Sequence, residues 1–512
     1  MSSRRLHSNA IANVLGFLAQ FVVAFALAPI VRQAIGDARY GAWSFAESVL
    51  AYLMLTELGV ASALVRYVAR MTANADQAGL NRIFSACLAF FTIAAFVVGL
   101  GGGSVLYWCC ERFLDVPPEL ASEVRWVLLA FVANFAAILP LSVFPAVLDG
   151  LNAYSLKTLT RTTFLVARVP VTLWVIHGQS PLLGLVVVLT VSNVLESMVL
   201  AALVVRRLPG LRFVPRQIDR ETVRMIRGFS TDSFLAMMAG RLTFSTDAFV
   251  IGSALGVAAI TPFKFANQLV DQARMMLRSA TVTLMPAISA SEARGDLAAV
   301  RGYFLTGTRL ILYAVMPIEV GLILFGKPFL ARWLRDPEVA DSAGPVLWVL
   351  AAPLVLTIAQ SVAARVLYGM GRIRLFSRMA LAEGVLNLLL SLILVRPLGI
   401  LGVAWGTTIP HIGFCLYAVA HAAALLGIHP RAYLRQWVLP AALTVLPTAL
   451  WLVRMRTGLP AYWSEFMFVG LLGMAPYAVL VTAIEGRTWF AAGALRLHSA
   501  LARFVGRHSA PR

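Results

Sequence analysis

Residues 262–288 read PFKFANQLVDQARMMLRSATVTLMPAI. Most of this stretch is apolar enough for a bilayer, yet it carries Lys264, Asn267, Gln268, Asp271, Arg274 and Arg278. These recur at intervals of three and four, the spacing of one helical face. At about 100° per residue they fill an arc of roughly 120°, with Phe265, Val270, Met276 and Leu277 outside it. A charge on a membrane helix is costly and faces a cavity, a partner or the interface. A helix lying flat on the membrane shows the same pattern. Against that reading, residues 279–288 extend the helix without a charge, so the segment is long enough to cross.

The rest of the chain supports a crossing. It has 512 residues, 60% of them hydrophobic and only 13% charged, with a mean hydropathy of +0.81. A soluble domain carries about a quarter charged residues. The net charge of +19 comes from 40 Arg and 3 Lys against 24 acids. In a soluble protein that excess points to nucleic acid; here it is first explained by basic loops on the cytoplasmic side, and no nucleic-acid partner is expected. Cys87, Cys109, Cys110 and Cys415 match no metal or disulfide spacing. The start, MSSRRLHSNA, leads into a hydrophobic run with no small-residue cleavage site, which reads as an uncleaved first span.

Fourteen apolar spans are expected, at roughly 10–31, 42–64, 84–106, 124–147, 159–176, 182–205, 229–251, 261–288, 304–325, 344–367, 379–395, 400–426, 437–453 and 465–484. One set of loops carries Arg66, Arg70, Arg82, a run from Arg206 to Arg227, Arg294, Arg301, Arg372, Arg374, Arg431 and Arg435. The opposite set carries Glu111, Asp115, Glu119, Glu123, Asp336, Glu338 and Asp341. The positive-inside rule then places both termini in the cytoplasm.

The basic 206–227 loop divides the first twelve spans, and the halves look related. Gly36 pairs with Gly256, Asp76 with Asp296, Phe84 with Phe304, Gly150 with Gly369 and Gly184 with Gly402, at offsets of 220, 220, 220, 219 and 218. Six spans per unit make the copies parallel, a transporter arrangement with the substrate site between them. The expected fold class is thus all-α and polytopic. Its divisions are a first half (1–205), a basic linker (206–228), a second half (229–427), two further helices (428–484) and a basic tail (485–512).

Several stretches resemble bacterial polysaccharide exporters: NVLGFLAQFVVAFALAPIVRQAIGDARYGAWSF, LTELGVASALVRYVAR, TDAFVIGSALGV, MPAISASEARGD and VLYGMGRIRLFSRMALAEGVLNLLLS with PLGILGVAWGT. Over about residues 9–430 the chain resembles the oligosaccharide flippase branch of the multidrug/oligosaccharidyl-lipid/polysaccharide (MOP) exporter superfamily. The resemblance implies two six-helix lobes forming a V that alternates between inward-open and outward-open states. It also implies an undecaprenyl-pyrophosphate-linked glycan as substrate in the inner membrane, for O-antigen or exopolysaccharide synthesis, with polymerase and chain-length machinery as partners. Related branches flip lipid II or exchange cationic drugs for sodium or protons.

No hydrolytic or Walker A motif is present, so neither an enzyme nor direct ATP use is expected. No cofactor is expected beyond a coupling sodium ion or proton. A lipid pyrophosphate calls for cations in the cavity, and arginine suits bidentate phosphate contacts. A cationic-drug exporter calls for the reverse. The candidates for the anionic head are Lys264, Asn267, Asp271, Arg274 and Arg278, with Arg241 in the seventh span and Arg168 in the fifth. Arg168 closes a second stripe with Lys157, Arg161 and Phe164. Lys157 and Arg161 are expected to snorkel to headgroups, but Arg168 lies about 16 Å farther in than Lys157. Asn13 and Gln20, on one face of the first span, either bond sugar hydroxyls or join helices. Glu47, Glu57 and Asp247 are candidates for a coupling ion. His411 reads as a helix-packing histidine, and Glu196, Arg309, Glu319, Arg365 and Glu383 as partners in pairs across helices.

Overall fold

The computed structural model describes residues 3–57, 59–113, 116–226, 238, 246–281, 284–456, 458 and 462–508. Among these residues the regular structure is helical, with no strand. In chain order the α-helices are α1 (Ser3–Ile35), α2 (Asp37–Leu53), α3 (Val60–Ala73), α4 (Gln77–Phe96), α5 (Gly103–Phe113), α6 (Pro118–Ile138), α7 (Val143–Gly150), α8 (Tyr154–Val175) and α9 (Pro181–Arg207). They continue with α10 (Asp247–Ala254), α11 (Ile260–Thr281), α12 (Leu284–Glu292), α13 (Leu297–Leu334), α14 (Pro337–Ala351), α15 (Leu354–Gly369), α16 (Ile373–Leu398), α17 (Ile400–Leu425), α18 (Pro430–Arg456) and α19 (Trp463–His508).

Ten described helical stretches are long and apolar enough to cross a membrane, and a bent pair, Asp37–Glu57 with Val60–Ala73, makes up to eleven. The count of fourteen is not confirmed, and three of the expected spans account for the difference. The seventh expected span lies largely outside the described residues. The fifth and eighth, α8 and α11, form as helices of 22 residues each, and it is their charges that keep them from qualifying by composition. The two charged stripes are therefore helical, and they are the exceptions to an otherwise apolar set.

Two expected spans are interrupted. The 42–64 span bends by 48° around Gly59, whose φ of 74° is left-handed. The 124–147 span gives way after Ile138 to a 3₁₀ turn at Pro140–Ser142 before α7. In the 262–288 span the helix is described to Thr281 and again from Leu284, and 282–283 lie outside the described residues. The last helix runs past 484 to His508.

The internal repeat is written in local geometry. Gly36 (φ 82°, ψ 166°) and Gly256 (φ 87°, ψ 160°) precede corresponding helices in the same conformation. Asp76 accepts from the Gly79 amide at 2.8 Å, and Asp296 from the Ala299 amide at 2.9 Å, each capping a helix start. Gly150 packs so closely on α3 that a Cβ there meets Val68 Cβ at 2.7 Å; one on Gly369 meets Ile288 Cγ2 at 2.7 Å. Val68 and Ile288 are themselves 220 apart, so the helix crossing is duplicated along with the glycine.

The chain groups into two compact units. The first holds residues 1–272, 330–350 and 374–414, the second 273–329, 351–373 and 415–512. The repeat boundary at 206–228 falls inside the first unit. One buried cluster of that unit joins α3, α4, α7 and α9 through Leu64, Phe84, Phe91, Leu148 and Leu200, with smaller residues such as Cys87 filling between them. In the second, Arg309 pairs with Glu485 at 3.0 Å and Tyr313 donates to the same carboxylate at 3.0 Å, fastening α13 to α19.

Candidate functional site

A cavity of about 580 Å³ lies within the first unit, lined from α1, α6, α8, α9 and the turns beside α3 and α7. That volume is in the range of small-ligand sites. One wall is the α8 stripe: Lys157, Arg161 and Arg168, with Thr158, Thr162 and Leu165 between them. Facing it are Ser192, Asn193, Glu196 and Ser197 of α9, Gly16 and Gln20 of α1, and Glu57. The close approach of α1 to α8 depends on Gly16, where a Cβ stands 2.5 Å from Thr158 Cγ2.

The three cations are held differently. The Lys157 ammonium donates to Asp149 on α7. Arg161 donates through Nε to Glu196 at 3.2 Å while its side chain is 54% exposed. Both thus have carboxylate partners on neighbouring helices. Arg168, two turns deeper than Arg161, has no hydrogen bond or ion pair among the described residues. Just beyond it Pro170 leaves the Val166 carbonyl without a helical donor. The cavity thus sets three cations against two carboxylates, Glu57 and Glu196, with hydroxyls and amides from three helices beside them.

The α11 stripe is arranged otherwise. Lys264 Nζ donates to Glu47 Oε2 at 2.9 Å, and Asn267 donates to Asp271 at 2.9 Å. Arg274 is buried, and Arg278 is half-buried. Asp247 is buried and accepts from the Thr407 hydroxyl at 3.1 Å. Gln20 and Glu57 reach the α8 cavity; Glu47 lies on α2 opposite Lys264. Arg241 and the side chain of Asn13 lie outside the described residues.

The expected cross-helix partners are found. Glu196 meets Arg161, and Arg309 meets Glu485. Glu319 accepts the Val355 amide at 2.8 Å, and Arg365 donates to Thr281 at 3.4 Å. His411 Nδ1 lies 2.6 Å from Glu383, both within the packed interior. Among the described residues no group of three or more His, Cys, Asp or Glu is placed to hold a metal.

Sequence reasoning passed over a second network. Buried Arg32 donates through Nε to Asp37 at 2.5 Å and through Nη2 to Asp336. Gln33 donates to the Leu334 carbonyl at 3.0 Å, and Trp333 Nε1 to the Phe25 carbonyl at 2.9 Å. The two repeat halves are therefore tied together where α1 ends and α13 ends. Arg32 holds the Asp336 carboxyl below the usual carboxylate range. Each of these charges sits at a span end, where a charge is ordinary. The one available signal was that the loops joining these spans are the acidic ones.

The family description "Polysaccharide biosynthesis protein" matches residues 6–292, more than half of the chain, and the chain belongs to that family. No curated protein sequence matches it. Solved structures share the fold. The lipid II flippase MurJ in an inward closed conformation has a TM-score of 0.70 at 12% identity, covering 93% of this chain and 99% of that one. An inward-facing multidrug resistance MATE family transporter of the MOP superfamily has 0.65 at 15%, covering 79% and 94%. A MOP superfamily transporter from Pyrococcus furiosus, described by a reversed polarity of its binding pocket, has 0.59 at 16%, covering 83% and 95%. The protein is thus a multi-pass membrane protein of the polysaccharide biosynthesis family with a MOP-type transporter fold.

Proposed function

We propose that the protein flips a polyprenyl-pyrophosphate-linked oligosaccharide across the inner membrane, for O-antigen or exopolysaccharide assembly, and that it does so without catalysing a reaction. The observation that carries this reading is the α8 cavity, where Arg168 stands unpaired by any described residue among hydroxyls and amides. An arginine at that depth is expensive unless an anion or water meets it. A lipid diphosphate supplies the anion, and the sugar hydroxyls match Gln20, Ser192 and Asn193. The prenyl tail stays in lipid. Arg274, Arg278 and Arg241 remain candidate contacts for the anionic head. Glu57, in the same cavity, Glu47 on α2 and buried Asp247 are the candidates for a coupling proton or sodium ion.

In cells that depend on the protein, Arg168→Gln at equal protein level is expected to deplete surface polysaccharide. Unchanged polysaccharide removes Arg168 from the path. A lipid II substrate is the second reading, favoured by the shared fold alone. It predicts accumulation of peptidoglycan precursor when the protein is depleted. A cation exporter requires an excess of acid in the cavity, and the lining has the opposite balance.

A further inference from the structure

The connection after α9 is a folded, basic surface, and its placement follows from what it is bonded to. Leu208, Leu211, Ile218 and Met225 pack on the buried cluster of the first unit, and Ile226 is part of it. The backbone amide of Arg212 donates to Asn81 Oδ1 at 3.0 Å, and that of Val214 to Ser85 Oγ at 2.8 Å. Arg82 donates to Asp219 at 2.9 Å, and Asp219 also accepts from the Thr222 amide at 2.7 Å. These contacts hold the Asp219 carboxyl down, to about 2. Asn81, Arg82 and Ser85 stand in the first turns of the span that begins at Gln77, and the span before the connection ends at Arg207. A segment tied to one span end and running on from another is held at headgroup depth.

Its outward side carries Arg206, Arg207, Arg212, Arg216, Arg220 and Arg224, all exposed. Among them Phe213 and Val223 are each 51% exposed. The acids on the segment are Asp219, occupied by Arg82 and Thr222, and exposed Glu221. Basic charge that only sets topology needs no fixed shape. Here the shape is fixed by side chains of a neighbouring helix, and two apolar side chains of the same segment stand exposed. We infer that residues 206–226 form a docking surface for anionic phospholipid headgroups, with arginines on the phosphates and Phe213 and Val223 dipping into the acyl boundary.

The test uses the purified full-length protein in detergent, with phosphatidylglycerol or phosphatidylcholine added. Retained lipid is read by native mass spectrometry, and the unfolding midpoint is read alongside it. The wild type is expected to retain phosphatidylglycerol selectively and to gain in midpoint. Replacing Arg212, Arg216, Arg220 and Arg224 together by Gln is expected to lower that selectivity by about fivefold per arginine. A second variant, Asn81→Ala with Ser85→Ala, keeps every charge and releases the segment's two backbone anchors at Arg212 and Val214; it is expected to lose part of the selectivity. Equal retention of the two lipids by the wild type overturns the inference, as does full selectivity in the four-arginine variant. Selectivity unchanged in the released variant means diffuse charge without a built surface, and also overturns it. So does an equal midpoint gain from inorganic phosphate without lipid, which marks a free-anion site.

Discussion

Lys264 of α11 and Glu47 of α2 form an ion pair of 2.9 Å across the repeat. The first charge of the 262–288 stripe is thus answered by the other half of the chain. Tyr40 stacks on Phe265 beside it at 5.0 Å, so the two helices meet along a mixed face. Both charged side chains are more than a third exposed. In that setting the pair is worth about 1 kcal/mol or less. A double-mutant cycle with Glu47→Gln and Lys264→Gln, read by thermal unfolding, is expected to return a coupling of that size. A coupling several times larger places the pair in lipid.

The two repeat glycines give a graded prediction. Gly150→Ala drives a methyl against Val68 Cβ at 2.7 Å and the Val65 carbonyl at 2.9 Å, and the backbone cannot easily yield. Gly369→Ala meets mainly a side chain, Ile288. Each is expected to destabilise by about 1–3 kcal/mol, Gly150→Ala the more. Trimming Ile288 to Ala is expected to recover part of the Gly369→Ala loss, whereas Val68→Ala leaves the Gly150→Ala clash with Cβ and carbonyl in place. Unfolding midpoints of the four variants and the two doubles check the order.

The Arg32 network predicts an acid response. The folded Asp336 carboxyl is held below its ordinary range by Arg32. Its contribution is therefore complete above the ordinary carboxylate value, about 3.9, and is lost as pH falls through the lower folded value. Asp336→Asn is expected to lower the unfolding midpoint at pH 7 and to flatten its fall below about pH 4. Arg32→Ala strands two carboxylates and is expected to cost about 1–2 kcal/mol. That is less than the loss from breaking a fully buried pair, because Asp336 is part exposed.

Much of the fold was legible because membrane helices declare themselves by length and hydropathy, and because the offset of 220 is carried by residues with geometric duties. Gly36 and Gly256 share a positive φ, and Asp76 and Asp296 share a cap. The helix breaks were less legible. Gly59 sits in an apolar run whose composition reads straight through it. The site was legible one helix at a time: the α8 stripe was visible, as was the depth of Arg168. What assembles the cavity was not visible. Glu196 comes from α9, Gln20 from α1 and Glu57 from the turn before α3, brought together by tertiary packing that has no local signal. The stripe of 262–288 carries the more charges, yet its Lys264 is answered by Glu47, and the cavity belongs to the helix with the second stripe.

The central claim is transport of an anionic lipid-linked glycan past Arg168. The direct measurement is reconstitution of the purified protein in liposomes containing a polyprenyl-pyrophosphate-linked oligosaccharide on one leaflet. Appearance of the sugar on the other leaflet is followed by its accessibility to an added lectin. Wild-type protein is expected to move the glycan, and Arg168→Gln to slow it by at least about tenfold, the loss of one charge-assisted contact. Wild-type movement no faster than in protein-free liposomes, or an Arg168→Gln rate equal to wild type, contradicts the account.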